Sequence, residues 1–340
     1  MRWIAFTFIL LIATTVQAAP RVSLELATEQ GFPITGAQQW SKLLADLGLT
    51  NFRIRAATGV DQPKIEQSGD KKSASFRVVG ILTARNMLVV PGGQFSTRDS
   101  AAIRKWLDNL SDQGEAGVTE RRSAFGLLAK QLAEVNEDLK QPLDFSTSNS
   151  SLNEAVEKLK RRLKNPVVVD AAAKLDMDDV KIEDELLGIS AGTSLAVMLR
   201  PAGLVLTPER PQGGTLQYRI AKPVEGHQSW PLGWPPEKKP IDILPDLYEF
   251  INVEISDTPV KDAVDAIAER LKVPFLYDRN AMALHDIDLS KTNATVPSKR
   301  STYSLILQKV LIQAKMKPEL RLDEANKPFF WVTSVKPVGK

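Results

Sequence analysis

The chain lacks cysteine and has little histidine, and the two absences exclude several classes of protein. None of its 340 residues is cysteine, and only two are histidine, His227 and His285. Without cysteine there are no disulfides, thiol nucleophiles, iron–sulfur clusters or cysteine-ligated zinc sites. Two histidines are also too few for a multi-histidine metal centre. We therefore expect no bound metal and no cofactor.

The chain also lacks a strong excess of charge of either sign. Its 44 basic and 41 acidic residues give a formal net charge of +3. Nucleic-acid-binding domains usually carry a clear basic excess, so we expect no nucleic-acid partner. A hydrophobic content of 43% and a charged content of 25% are ordinary for globular proteins. The length suits about two or three domains.

Motifs that carry catalysis are absent as well. The sequence has no Gly-x-Ser-x-Gly turn that would raise a serine to a nucleophile. The acidic stretch that begins at Asp176 has Lys181 and Leu187 where a calcium-binding EF-hand loop needs glycine and glutamate. A pair of carboxylates for glycoside hydrolysis stays open, because such residues are paired in space and not in sequence. We predict no catalytic residues and a protein that is not an enzyme.

Residues 1–18 have the pattern of a secretory signal peptide. Arg2 precedes an apolar run from Ile4 to Ala13, and Val16-Gln17-Ala18 fits a cleavage site. This run is shorter than the roughly 20 apolar residues that span a bilayer, which favours cleavage over a retained anchor. We expect an exported chain in the periplasm or cell envelope, or secreted, with no membrane span after cleavage.

Residues 19–118 predict an N-terminal α+β domain. Val22, Leu24 and Leu26 alternate with polar residues as in a half-buried strand. Further on, the sequence predicts a helix that starts near Ser96. The apolar stripe of this helix consists of Ile103, Trp106, Leu107 and Leu110. A helical connector over residues 119–142 follows this domain.

The turn before that helix is the best candidate for a small-ligand site. Glycines that precede a helix N-terminus can turn their amides towards an anion, and an arginine follows here in the first turn. The candidate ligand-binding residues are Gly92, Gly93, Gln94 and Arg98. The alternative is a tight turn that needs the backbone angles of glycine.

The rest of the chain contains an internal repeat. With Leu143 placed over Ile251, a gapless register aligns Ala155-Val156 with Ala263-Val264, Pro166 with Pro274 and Asp170 with Asp278. Each copy predicts the order β-α-β-β-α-β-β. The first copy covers residues 143–222, here named the first module, and the second covers residues 247–338, the second module.

A proline-rich linker, residues 223–246, separates the two modules. Six prolines in this stretch predict a stiff, extended spacer. Trp230 and Trp234 lie among these prolines, and they are the candidate partner-binding residues. The alternative is that both tryptophans fold back onto their own domain.

The repeated module resembles the short domain at the N-terminus of secretins and of TonB-dependent receptors. In the first module the matching residues are Ala155-Val156, Leu159, Pro166-Val167-Val168, Asp170, Ser194-Leu195, Leu199 and Gly203-Leu204. In the second they are Ala263-Val264, Ile267, Val273-Pro274-Phe275, Asp278, Ser304-Leu305, Val310-Leu311 and Ala314-Lys315-Met316. Proline replaces the glycine that the family usually has before the second strand. Together with the segments WPLGWPP at residues 230–236 and DEANKPFFW at residues 323–331, the whole arrangement resembles exported proteins of planctomycete bacteria.

These features together predict an α+β protein that binds other proteins of the bacterial cell envelope as an adaptor or scaffold. The duplicated module, the export signal and the missing catalytic motifs support this hypothesis. An alternative is a small-ligand receptor or enzyme in the N-terminal domain, with the repeats as a targeting arm. In a third, the two modules bind only each other and set the shape of the protein.

Overall fold

The computed structural model describes residues 21–69 and 74–336, which form two compact units, Met1–Arg121 and Arg122–Lys340. The predicted signal peptide, residues 1–18, lies outside the described residues. Helices combine with mixed sheets in an α+β fold, which confirms the predicted fold class. Within the described ranges, none of the helices has both the length and the apolar character to cross a membrane.

The described residues of the N-terminal unit form one six-stranded mixed sheet. Its strands are β1 (Arg21–Thr28), β2 (Phe52–Ala56), β3 (Lys64–Ser68), β4 (Ser75–Leu82), β5 (Leu88–Val90) and β6 (Gly93–Phe95). Its helices are α1 (Gly36–Asp46), α2 (Ser100–Gln113) and α3 (Ala116–Thr119). Strand β1 lies between β2 and β4 and runs parallel to both, whereas β3 and β5 are antiparallel to β4. The sheet order is β2-β1-β4-β5-β6, with β3 on β4.

Alternation along β1 separates the two faces of this sheet. Leu24 and Leu26 are buried in the core together with apolar residues of α1 and α2. Glu25, between them, forms ion pairs with Arg77 at 2.6 Å and with Arg55 at 2.5 Å. The hydrogen bonds from Arg77 and Arg55 lower the pKa of Glu25 to about 2. The predicted helical stripe of α2 is buried as expected.

The second unit begins with four α-helices, two single-turn 3-10 helices (Ala124–Gly126 and Arg200–Ala202) and a three-stranded sheet. The helices are α4 (Ala129–Leu139), α5 (Leu152–Lys160), α6 (Ala171–Met177) and α7 (Ala191–Leu199). The strands are β7 (Val167–Val169), β8 (Val205–Glu209) and β9 (Gln217–Ala221). Every residue of α7 is buried, so this helix passes through the interior of the unit.

The remaining residues of the second unit add four helices and two small sheets. The helices are α8 (Pro240–Ile243), α9 (Val260–Leu271), α10 (Arg279–Leu284) and α11 (Tyr303–Gln313). The strands are β10 (Phe250–Pro259), β11 (Phe275–Tyr277), β12 (Asn293–Thr302), β13 (Met316–Leu322) and β14 (Pro328–Ser334). Strands β10 and β12 form an antiparallel pair apart from the other three.

The two three-stranded sheets have the same arrangement. The orders are β7-β9-β8 and β11-β14-β13. In each, the first strand is parallel to the central strand and the third is antiparallel to it. A short helix, α6 or α10, follows the first strand in each module, and the sequence pattern did not predict either one. Apart from α10, the second module has the predicted order β-α-β-β-α-β-β. In the first module that prediction is wrong for two strands, because residues 143–222, all of them described, contain no strand before α5 and none between β7 and α7.

Two segments that the sequence predicts as connectors are parts of the folded unit. In the stretch 119–142, Val135 and Leu139 of α4 are buried in the core of the first module. In the stretch 223–246, Trp230 belongs to that same core, which also takes in Phe329 from the second module. The linker is therefore not an extended spacer, because burial of its apolar residues holds it between the modules.

Candidate interaction site

The predicted ligand-binding turn has a packing role in the structure. Gly92 makes the turn between β5 and β6 with a φ of 71°. A Cβ at this position would overlap the carbonyl oxygen of Val118 and lie 2.6 Å from its carbonyl carbon. Glycine is needed here because the backbone before α2 and the backbone of α3 approach so closely. Gly93 and Gln94 are residues of the short strand β6.

A carboxylate lies at the start of α2, where the sequence suggests an anion. The backbone N–H of Ser96 donates to Asp99 Oδ2 at 2.7 Å, and Ser96 Oγ donates to the same atom at 2.8 Å. These two bonds lower the pKa of Asp99, so it is charged at neutral pH. Arg98 is exposed beside it. A fixed negative charge disfavours a second anion, and the ligand site at this turn stays a prediction.

Trp230, predicted to bind a partner, lies in the interior. Only 4% of it is exposed, and its ring stacks on Phe125 with centroids 5.6 Å apart. Its Nε1–H donates to Glu324 Oε1 at 2.6 Å. Trp230 therefore joins the proline-rich stretch to the second module and has no free face for a partner, because its polar and apolar groups are already occupied.

Trp234, the other predicted residue, lies at the wall of an open cleft. Its backbone forms two hydrogen bonds with Leu322 of β13, at 2.8 and 2.9 Å. Its ring contacts that of Trp230 edge to face at 5.5 Å. The indole is half-buried. Backbone pairing and ring packing thus hold one face of Trp234 in a defined position.

The cleft beside this indole has a volume of about 900 Å³, and we name it the Trp234 cleft. Its apolar walls come from the proline-rich stretch and from the second module, namely Trp234, Pro235, Ile243, Leu322 and Pro328. Its polar lining is acidic on balance, with Glu237, Asp242, Asp323 and Glu324 against the single cation of Lys238. Asn136 of α4 lines this cleft and also a smaller groove on the other side of Trp234.

Glu324, at the floor of the cleft, lies against the N-terminus of α7. Its carboxylate accepts hydrogen bonds from Trp230 Nε1 and from Thr193 Oγ1, the second at 2.9 Å. Burial raises its pKa to about 7, although both hydrogen bonds act in the opposite direction. A Cβ at Gly192 would overlap Glu324 Oε1 and lie 2.5 Å from Trp230 Nε1. Only glycine at position 192 leaves room for this carboxylate.

Asp323 anchors the same turn between β13 and β14. Its Oδ2 accepts from the backbone N–H of Ser190 at 3.0 Å and from Ser190 Oγ at 2.8 Å. Its Oδ1 accepts from the backbone N–H groups of Ala325 and Lys327. Both acidic residues of the turn are thus committed to the first module, and they fix the floor of the cleft.

Ion pairs join the modules on the other side of α7. Arg200 binds Asp278 at 3.1 Å, and Arg279 binds Asp184 at 2.6 Å. Burial raises the pKa of Asp184, and the guanidinium of Arg279 offsets part of this effect. Paired charges at a buried seam favour one relative arrangement of the two modules.

The acids of the Trp234 cleft that remain available are Glu237 and Asp242. Both are exposed, and neither has an ion-pair partner within the described ranges of the chain. Across residues 21–69 and 74–336, no three acidic or histidine side chains converge to hold a metal ion. The cleft can therefore offer a flat aromatic face and two free carboxylates, and it suits a ligand with both apolar and basic groups.

Sequence reasoning missed Glu324 at the floor of the cleft, and it missed Gly192 and Ser190, which contact the acidic residues of that floor. Their contacts join positions more than a hundred residues apart, apart from the bond to Trp230. One signal was available. The segment Ala191–Leu199 is apolar on all sides, which is typical of a helix in the interior. The small residues Ser190 and Gly192 at its start leave space for side chains from elsewhere in the chain to pack against this helix end.

Comparison of the chain with models of protein families, with curated proteins and with solved structures gave no match.

Proposed function

We propose that this chain is an exported, non-enzymatic adaptor of the bacterial cell envelope, and that it binds a segment of another protein in the Trp234 cleft. The single observation that supports the proposal is the cleft itself. The proline-rich stretch and the second module line it, and Thr193 of the first module holds Glu324 at its floor. Its aromatic wall is held in place before any partner arrives. A preorganised site loses little entropy when it binds.

The size of the cleft suits a short peptide segment. The cleft is open to solvent, and about 900 Å³ accommodates several residues of a peptide. The half-buried indole of Trp234 offers a face on which a proline or aliphatic side chain can pack. Asn136 and Asn326 in the lining can donate to and accept from the backbone of such a segment.

The charge of the cleft favours a basic segment. Glu237 and Asp242 lack ion-pair partners in the described part of the chain, and Lys238 is the one cation in the lining. A lysine or arginine of the partner would gain two exposed carboxylates beside an apolar wall. We therefore propose an envelope protein with an exposed basic segment as the partner.

Site-specific photocrosslinking in cells tests this proposal. A benzophenone amino acid replaces Lys238, an exposed lining residue that leaves both carboxylates in place, in the tagged full-length chain. Mass spectrometry identifies the captured proteins after illumination. We expect one envelope protein to be captured, and the crosslinked peptide on its side to contain lysine or arginine. The matched control places the same amino acid at Lys105, an exposed position on α2 of the N-terminal unit.

A charge reversal distinguishes a specific site from a reactive surface. Asp242→Lys changes an exposed side chain, so the fold should be retained. It should lower capture at position 238 about tenfold and leave capture at position 105 unchanged. Self-links alone, equal capture at both positions, or capture that ignores Asp242→Lys would overturn the adaptor proposal. Export has its own test, since the mature protein should begin at Ala19 in the osmotic-shock fraction.

A further inference from the structure

Helix α11 carries apolar side chains on two opposite faces. Ile306, Leu307, Val310 and Leu311 are buried in the core of the second module. Leu305 and Ile312 point the other way, and they are 49% and 54% exposed. The two residues are seven positions apart, so they lie about two turns apart on the same side of the helix. A water-exposed helix face usually carries polar side chains instead.

This outer face forms one side of a groove, which we name the α11 groove. Leu305, Gln308, Lys309 and Ile312 line it from the helix, and Met316, Lys317 and Pro318 line it from β13. The groove has a volume of about 440 Å³. It shares no lining residue with the Trp234 cleft. The groove is therefore a second surface of the same unit.

Lys309, which lines the α11 groove, has a second lysine beside it. Lys309 lies so close to Lys299 of β12 that the second ammonium lowers the pKa of Lys309. Among the described residues, neither lysine forms an ion pair with a carboxylate. Lys317 differs, because Glu319 pairs with it at 2.8 Å. Two facing ammonium groups repel each other, and an anionic group from outside would relieve the repulsion.

The edge of β13 indicates which kind of segment fits. Strand β13 lies at the edge of its sheet, where an added strand would need free N–H groups. Pro318, in the part of β13 that lines the groove, has no N–H and blocks such pairing. Recognition therefore falls to side chains, and the spacing of Leu305 and Ile312 matches the face of an approaching helix.

We propose that the α11 groove binds an acidic amphipathic helix of a partner protein. Apolar side chains of that helix pack on Leu305 and Ile312, and a carboxylate at its edge lies between Lys299 and Lys309. This inference does not depend on the Trp234 cleft. Since that cleft favours a basic segment, the two surfaces select partners of opposite charge.

Selection from a peptide library tests the proposal directly. A phage library of random peptides of about sixteen residues is panned on the full-length chain, with the Lys309→Glu variant as counter-selection. We expect the enriched peptides to carry leucine-like residues at helical spacing with aspartate or glutamate beside them. Fluorescence anisotropy should show that Lys309→Glu weakens the best peptide at least about tenfold.

Matched variants separate the contributions. Leu305→Ser combined with Ile312→Ser should also weaken binding, and both positions are exposed enough to leave the fold intact by circular dichroism. Lys105→Glu makes the same charge change in the N-terminal unit and should have no effect. A peptide with its carboxylates changed to lysine should regain affinity for Lys309→Glu.

Three results would overturn the inference. The first is a selection that enriches no peptide, and the second is peptides that bind Lys309→Glu and the serine variant as tightly as the wild type. The third is binding to vesicles of phosphatidylglycerol without binding to any selected peptide, which would make the groove a lipid-binding surface.

Discussion

Replacing Gly192 with alanine should destabilise the second unit, although the same change stabilises most helices. Alanine in place of glycine in a helix gains about 0.5–1 kcal/mol, and the gain is smaller near a helix end. At this position, however, the new Cβ would overlap Glu324 Oε1 and lie 2.5 Å from Trp230 Nε1. The carboxylate has to move, and its hydrogen bonds to Trp230 and Thr193 are lost or lengthened.

The size of the effect follows from those contacts. A hydrogen bond to a charged group contributes about 1.5–3 kcal/mol, and a buried polar group left without a partner costs about 1–3 kcal/mol. Loss of one bond and weakening of the other costs about 2–4 kcal/mol. After the helix gain is subtracted, Gly192→Ala should lower the free energy of unfolding by about 1–3 kcal/mol. For a unit of this length, the melting temperature falls by about 3–9 °C.

Differential scanning calorimetry of the full-length chain measures this change in the transition of the second unit. The same substitution in a Glu324→Ala background is the control, because the displaced carboxylate is then absent. The cost of Gly192→Ala should fall below about 1 kcal/mol in that background. A stabilising effect of Gly192→Ala in the wild type, or an equal cost in both backgrounds, would refute the reasoning.

Three further predictions concern pH and close backbone packing. Folding raises the pKa of Glu324 from 4.5 to about 7. The free energy of unfolding should therefore fall by up to about 3 kcal/mol as the pH rises from 4.5 to about 7. In urea titrations, Glu324→Gln should remove this decrease. Folding lowers the pKa of Glu25 from 4.5 to about 2, so the N-terminal unit should lose stability as the pH falls from 4.5 to about 2. Acid unfolding followed by circular dichroism should show a smaller loss of stability for Glu25→Gln. Gly92→Ala should destabilise the N-terminal unit by at least about 2 kcal/mol, because the new Cβ overlaps the backbone of Val118 and the φ is positive. Gly59→Ala, with a similar φ of 75° and nothing within 4 Å, should cost only about 1 kcal/mol in the same thermal melts.

Each of these expectations has an outcome that contradicts it. For Glu324, it is a stability difference between wild type and Glu324→Gln that does not change with pH. For Glu25, it is acid unfolding of Glu25→Gln that matches the wild type. For Gly92, it is a cost equal to that of Gly59→Ala, which would mean that the backbone of α3 shifts freely away from the turn.

Local patterns predicted many of the elements and missed those whose signal was short or polar. The stripe of Ile103, Trp106, Leu107 and Leu110 predicted the buried face of α2, since a helix exposes its sequence period directly. Strand β3 (Lys64–Ser68) was missed, because its polar residues resemble a loop and only pairing with β4 makes it a strand. The short helices α6 and α10 were missed because neither has room for two periods of an apolar stripe.

The predicted site residues had different outcomes for a related reason. A tryptophan among prolines predicts an aromatic side chain that packs against other residues, but the pattern does not identify those residues. Trp230 packs inside, and Trp234 lines a cleft, although both lie in the same short motif. The difference comes from Leu322, whose backbone pairs with Trp234, and from Glu324, which accepts from Trp230.

What the sequence determined by itself is the α+β class and the location of the main helices and strands, because hydrophobic periodicity and turn residues act over a few neighbouring positions. Tertiary structure alone decided that the two modules and the stretch between them form one unit with a shared core. It also decided that Glu324 meets Gly192, and that Lys299 and Lys309 face each other beside an apolar groove. Such contacts depend on how separate helices and strands pack together. The sequence pattern of one helix or strand is compatible with many packing arrangements, and burial and charge pairing between elements select one of them.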